Sequence, residues 1–238
     1  MRLLCVSDMH GELRPYDETC RADVAVIAGD VMPSATQYHG GHPYGLARQE
    51  AWFAHTFVPW VQTLPVDHVV MTWGNHDHLG EHPSRYRACL PSNVHVLVNE
   101  SCVIDGIHFH GVPHTPRFHD WAFNMDDTPE GLGRAWAAVP DDTDILVSHG
   151  PPRGVVDWIR ARGIRGERAG SHTQANWLKS DATNRPFIVI CGHLHAAGGH
   201  EGWCGDVRVL NVSIVNDDYR VVRNPKVLDV VTRNITER

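Results

Sequence analysis

No stretch of this chain approaches the roughly 20 consecutive apolar residues that a membrane-spanning helix needs, so no membrane partner is expected. Only the run from Leu3 to Val6 separates Arg2 from Ser7, too short for the apolar core of a secretory signal. The six cysteines include no Cys-x-x-Cys pair and no zinc-type spacing. Cys5, Cys102 and Cys191 fall inside strand-like runs, where a free thiol behaves as a small apolar group. A reduced, cytoplasmic protein is the reading these absences favour. Long basic runs are missing too, with 21 Lys and Arg against 28 Asp and Glu and a formal net charge of −7. A long nucleic-acid partner is therefore not expected, because phosphate-backbone binding relies on clustered Lys and Arg. A small anionic substrate stays compatible, since bound cations reverse the local charge. Repeats, low-complexity segments and an obvious linker are also lacking, and 238 residues suit one domain over residues 1–238.

What the chain has in excess is histidine, with 18 residues. Solvent-facing positions are the plain reading for His39, His42, His55, His82, His119 and His200. Short apolar runs recur at Arg2–Val6, Val24–Ala28, His68–Thr72, Val94–Val98, Ile145–Val147 and Phe187–Cys191. Bounded by Gly, Asp, Asn or Pro, such runs predict strands buried on both faces. Asp105-Gly106 between Ser101–Ile104 and Ile107–His110 predicts a hairpin. Asp206–Ile214 and Lys226–Thr232 read as further strands. Helical spacing is strongest over Leu46–Leu64, where Trp52, Phe53, Phe57 and Trp60 fall near one face and Pro59 bends or ends the helix. Weaker helical patterns cover Glu130–Ala138, Gly154–Arg162 and His172–Lys179. Alternating helices and strands, with strands dominating at the end, predict an α/β fold of two mixed sheets packed face to face with helices outside. The long stretches Val31–Tyr44 and Val112–Asp127 read as loops beside strand ends, where substrate contacts concentrate.

Five of the strand-like runs end in metal-binding side chains. These are Asp8 and His10 in LLCVSDMHG, Asp30 in VAVIAGD, Asn75 and His76 in VVMTWGNHD, His149 in ILVSHGPP, and His193 and His195 in FIVICGHLH. Asp8 and His10 are two apart, as are His193 and His195, so on extended backbone each pair faces one side. Asp30 is a lone carboxylate able to bridge two cations. Asn75 offers a neutral oxygen suited to a hard divalent ion. Mixed imidazole and carboxylate donors suit Mn, Fe, Zn, Ni or Co rather than calcium.

The set DMH, GD, GNHD, SHGPP and GHLH resembles the calcineurin-like metallophosphoesterase superfamily, over Asp8 to His195. The resemblance implies a four-layer α/β/β/α sandwich and two divalent or trivalent transition metals, manganese favoured. It implies that Asp8, His10, Asp30 and His195 hold one metal and that Asp30, Asn75, His149 and His193 hold the other. His76 becomes the catalytic histidine and Asp77 its orienting carboxylate, and a hydroxide held between the ions is the expected nucleophile. The segments GVPHTPRFHDWAFN (Gly111–Asn124) and NVSIVNDDYRVVRNPKVLDV (Asn211–Val230) are similar to the MPPED-type group, whose motifs resemble those of class III cyclic nucleotide phosphodiesterases. That similarity implies small phosphodiesters, cyclic nucleotides among them. The Arg-bearing GDxVDRG motif of the protein Ser/Thr phosphatases has no counterpart, because VMPSAT follows Asp30. A phosphomonoesterase or nuclease of the same superfamily, or a non-catalytic metal-bound scaffold, is the alternative. His39, His42, Tyr44, His78, His114, Arg117 and Phe118 are candidates to face substrate, with His114 and Arg117 foremost. Trp121 and Phe123 are expected to support the second loop from beneath.

Overall fold

Side chains alternate along the first strand of the computed structural model. Leu3 and Cys5 enter one apolar cluster, Leu4 and Val6 another, and all four are buried. This is what a near-continuous apolar strand does when both faces of its sheet are covered. The structure describes residues 1–33, 45–161, 164–180 and 185–230. His39, His42 and Tyr44 lie outside the described residues.

The strands begin with β1 (Arg2–Val6), β2 (Ala22–Ala28), β3 (Val66–Thr72), β4 (Val94–Val96), β5 (Glu100–Ile104), β6 (Ile107–Val112), β7 (Thr115–Pro116) and β8 (Asn124–Met125). They continue with β9 (Ile145–Ser148), β10 (Trp158–Ala161), β11 (Ile164–Arg168), β12 (Ile188–Cys191), β13 (Glu201–Cys204), β14 (Val207–Asn211) and β15 (Lys226–Asp229). The α-helices are α1 (Leu46–Trp52), α2 (Val58–Val61), α3 (Pro83–Tyr86), α4 (Leu132–Ala137) and α5 (His172–Lys179).

One sheet has the order β15-β1-β2-β3-β4 and the other β13-β14-β12-β9-β6-β5. β1 to β4 pair in parallel and β15 joins antiparallel. In the second sheet β6, β9, β12 and β14 run parallel, with β5 and β13 antiparallel at the two edges. Between the sheets lies an apolar layer that includes Val24, Val26, Val70, Phe109, Ile145 and Ile190. A second layer puts Phe53, Phe57 and Trp60 against the outer face of the first sheet. A third puts Trp136 and Leu178 against the outer face of the other. Helix, sheet, sheet and helix therefore stack as an α/β/β/α sandwich. Parallel strands point their carboxyl ends the same way, so both sheets deliver loops to one edge of the molecule.

Several predicted elements differ in detail. The helix over Leu46–Leu64 continues through Pro59. The chain takes a π-helical register over Phe53–Phe57, with the Val58 amide bonding the Phe53 carbonyl, before α2 resumes. Within the predicted helix Gly154–Arg162, the described residues Gly154–Ala161 are not helical. Gly154 and Val156 sit at φ of +95° and +47°, and β10 pairs antiparallel with β11. The buried Asp157 carboxylate accepts from the amides of Gly154 (2.9 Å) and Gly170 (3.3 Å) and pairs with Arg168, which pins the turn. Part of the loop Val112–Asp127 is ordered by the short parallel pair β7–β8. Asp105 and Gly106 both adopt positive φ, as a two-residue hairpin turn requires.

Candidate metal centre

Each candidate donor follows the carboxyl end of a parallel strand. Asp8 and His10 follow β1, Asp30 follows β2, and Asn75 and His76 follow β3. His149 follows β9, and His193 and His195 follow β12. The first five come from one sheet and the last three from the other, so the group sits on the seam. Asp8, His10, Asp30, Asn75, His76 and His149 are buried, while His193 and His195 are partly exposed.

Strand alternation is not what aims these side chains. Asp8, His10, Asp30 and His193 have φ of +56°, +45°, +53° and +67°. Left-handed backbone costs a non-glycine residue free energy and concentrates at functional sites. Because of it, His193 and His195 do not face the same way. His193 packs on His149, with ring centroids 5.1 Å apart. His195 instead brings Nε2 to 3.2 Å from His10 Nε2 and 3.5 Å from Asp8 Oδ1.

Asp30 is central. Its Oδ2 lies 3.3 Å from His149 Nε2, 3.8 Å from His10 Nε2 and 4.0 Å from His76 Nε2. Its Oδ1 accepts the His76 amide at 2.8 Å. His149 Nε2 is also 2.9 Å from Asn75 Oδ1, and its Nδ1 is held 2.8 Å from the Ala28 carbonyl, leaving Nε2 to face the cluster. Asp8 accepts the His193 amide on both oxygens at 3.0 Å. Donor atoms of Asp8, His10 and His195 lie within 4.8 Å of one another, as do those of Asp8, Asp30 and His149.

The charge balance asks for cations. Among the described residues, histidines are the only ion-pair partners of Asp8 and Asp30. Burial opposes ionisation of both carboxyls, yet the surrounding imidazoles outweigh it. Asp8 is held below the usual carboxylate range and Asp30 well below it. Burial brings His10 and His193 down to about 3, so both offer neutral nitrogens. Burial acts against the proton on His149 too, but the Asp30 carboxylate beside it lifts that imidazole to about 9. Two buried anions leaning on imidazole protons form a donor set that divalent transition metals fit.

Local shape agrees. A Cβ on Gly74 would strike the Asp30 carboxylate, and one on Gly192 would strike Ser7 and Asp8. Nδ1 of His10 and Nδ2 of Asn75 are buried with no hydrogen-bond partner among the described residues.

The supporting residues were less legible. Asp77 is buried, and its carboxylate accepts the amides of Met32 (2.9 Å), Gly74 (2.8 Å) and Val31 (3.3 Å). It thus ties the loop after β2 to the turn that carries His76. Burial, with Asp30 nearby, pushes its pKa up to about 7. Sequence reading missed Gln49, buried on α1. Its Nε2 donates to the His76 carbonyl at 2.7 Å and its Oε1 accepts the Leu79 amide at 2.8 Å. Asn211 was also missed; its Nδ2 donates to the carbonyls of Gly192 and Leu194 and fixes the turn of His193. Only their polarity at apolar positions could have signalled either.

A cavity of about 480 Å³ opens beside the donors and is lined in part by Asp30, Asn75, His76, His193 and His195. Its outer wall carries Arg117, Phe118, Trp121, Ile159, Asp217 and Tyr219. Arg117 pairs with Asp126 at 2.6 Å. Trp121 stands at the wall, 4.7 Å from the His76 ring, rather than beneath the loop, whereas Phe123 is buried. His114 lies in a neighbouring cavity with Glu81, Tyr86 and Phe123, and its Nε2 is 3.0 Å from the Asn99 amide nitrogen. The Tyr219 ring lies 4.7 Å from that of His10 and 5.2 Å from that of His195.

Such a donor set, where the parallel strands of two facing sheets end, defines the class of metal-dependent hydrolases built on an α/β/β/α sandwich. The chain belongs to the calcineurin-like phosphoesterase family, which it matches over residues 1–222, and is a metal-dependent phosphoesterase. It is similar to metallophosphoesterase domain-containing protein 1 of Homo sapiens and of Mus musculus. Each is 26% identical over 256 residues, spanning 97% of this chain and 71% of the relative. Among solved structures, the phosphopantetheinyl hydrolase of Mycobacterium tuberculosis matches at a TM-score of 0.49 and 15% identity, over 91% of this chain and 90% of that one. No helix of the described residues is long and apolar enough to cross a membrane.

Proposed function

We propose that the chain is a dinuclear metal phosphodiesterase acting on small nucleotides, cyclic ones among them. The observation that carries this reading is the central place of Asp30, within 4.0 Å of imidazole nitrogens from His10, His76 and His149, contributed by both sheets. In this reading Asp8, His10, Asp30 and His195 hold one ion, and Asp30, Asn75, His149 and His193 hold the other, manganese favoured. When bound, such a pair supplies Lewis acidity at the phosphoryl group and lowers the pKa of water.

The remaining chemistry falls to the chain. His76 Nε2, beside Asp30 and on the cavity wall, protonates the departing oxygen. Asp77 orients His76 through the backbone, by holding the Gly74 amide. Arg117 stands on the wall with its charge shared with Asp126, and His114 acts from the neighbouring cavity by supporting Phe123.

The test compares bis(p-nitrophenyl) phosphate with p-nitrophenyl phosphate on manganese-loaded protein. The diester is expected to turn over faster. The reverse order would move the assignment to a phosphomonoesterase, and a panel of cyclic and linear nucleotides would then rank natural substrates.

A further inference from the structure

Part of the cavity wall carries the large apolar side chains of Phe118, Trp121 and Ile159. We propose that this wall is a shelf for a planar aromatic or heteroaromatic group carried by the phosphoester, recognised by stacking rather than by charge. The proposal rests on the phosphoesterase reading of the same site.

Phe118 is 57% exposed and Ile159 36% exposed, and both stand on the rim of this cavity. Large apolar side chains held in solvent at the mouth of a pocket mark a surface meant to be covered. Trp121 lies further in, 4.7 Å from the His76 ring, and Phe118 meets it edge to face at 5.3 Å with 74° between the ring planes, so the Trp121 face is the platform and Phe118 its side. Apolar side chains thus reach from the solvent edge at Phe118 to Trp121 beside His76.

The loop that carries it is built to hold still. Asn124 accepts the Phe118 amide at 3.2 Å and donates to the carbonyls of Phe118 (3.1 Å) and His119 (2.9 Å). The Ala122 amide donates to the Asn75 carbonyl at 3.0 Å, which ties the loop directly to a candidate ligand. His119 and Phe123 take φ of +53° and +55°. A rigid, exposed ring loses little freedom when a ligand covers it.

Charge does not compete for the role. Apart from histidines, Arg117 is the one basic side chain on the wall among the described residues, and Asp126 engages it. Asp217 adds a negative charge at the wall. Recognition beyond the phosphate is left to the Trp121 face, with the Phe118 ring edge-on beside it.

The experiment titrates the full chain, loaded with Mn²⁺, with phenylphosphonate and with methylphosphonate by calorimetry, so no turnover is needed. Phenylphosphonate is expected to bind roughly tenfold more tightly or better, the scale of one stacked ring. That ratio should hold from about 0.05 to about 0.5 M NaCl, because stacking is not screened. Phe118→Ala, at an exposed position that does not endanger folding, should cut the ratio by about threefold or more. Trp121→Ala should cut it further and Trp121→Phe should keep most of it. Methylphosphonate binding with no advantage for the phenyl compound would overturn the shelf and leave the phosphoesterase reading standing. So would an advantage that survives both alanine changes or vanishes with salt. If neither phosphonate binds, both proposals fail together.

Discussion

His76 and Asp30 separate two kinds of residue within a few ångströms. Asp30 reaches three imidazoles and is buried, which in the proposed reading makes it the residue that holds the two cations together. Asp30→Ala is expected to abolish activity with loss of bound metal, read by elemental analysis; two ions retained per chain would remove its bridging role. His76 lies at the edge of the same group, against Trp121 and the cavity. His76→Ala should keep the metal and lower turnover by about 100-fold or more, the range for a general acid. Gln49 acts one step further back. Its amide satisfies the His76 carbonyl and the Leu79 amide in a dry interior. Gln49→Leu strands both, and each stranded group costs about 1–3 kcal/mol. Urea unfolding should show that loss of stability. Turnover should fall as well, because the turn carrying His76 loses its brace. A stable variant with normal turnover would reduce Gln49 to filling.

At the scale of elements, α5 offers a measurable link between a carboxylate and pH. Ser171 caps the helix through the Gln174 amide at 3.0 Å. Asp127 reinforces that end by accepting the amides of His172 (2.6 Å) and Thr173 (3.2 Å) and the Ser171 hydroxyl at 2.8 Å. Burial alone would raise the Asp127 carboxyl, but these donors outweigh it and hold it below its ordinary value. A carboxyl lowered in the folded state stabilises above its unfolded pKa of about 3.9 and loses that contribution as pH falls through the lower folded value. Asp127→Ala should therefore cost about 1 kcal/mol at pH 7. The gap to the parent protein should close as pH drops below about 4, and equal stabilities at neutral pH would refute the role. Elements like this one show which signals reach the sequence. The central strands were legible because runs such as Ile188–Cys191 must be apolar on both faces. The hairpin at Asp105-Gly106 was legible because few residues tolerate its backbone. The segment Gly154–Arg162 was not, since Val155, Trp158 and Ile159 mimic helical spacing while Asp157 and the partner strand decide otherwise. The positions of the candidate donors were legible as residue types at strand ends. Their left-handed backbone and their braces, Gln49 and Asn211, were not, because tertiary contacts impose them.

Across the whole molecule, the candidate donor cluster joins two sheets that also meet through an apolar layer and a backbone bridge between Ser7 and Ser213. Asp8, His10, Asp30, Asn75 and His76 come from the first sheet and His149, His193 and His195 from the second. Without cations, the buried carboxylates of Asp8 and Asp30 are balanced by imidazoles alone among the described residues, which leaves the seam electrostatically underfilled. Filling it should act on stability through mass action, about 2.7 kcal/mol when the free ion stands at 100 times its dissociation constant. For a chain of this length each kcal/mol moves the melting midpoint by about 2–4 °C. Chelation should thus lower Tm by roughly 5–10 °C, and added Mn²⁺ should restore it. The effect should be local as well as global. Amide exchange should rise at the carboxyl ends of β1, β2, β9 and β12, where the donors leave the sheets, and stay slow at the hairpin of β5 and β6. The same chelation applied to Asp30→Ala should move Tm little, since that variant has already lost what the chelator removes. A parent protein whose melting ignores both chelator and Mn²⁺ would mean that the seam is closed by side chains alone, and the assignment of a metal centre would fall.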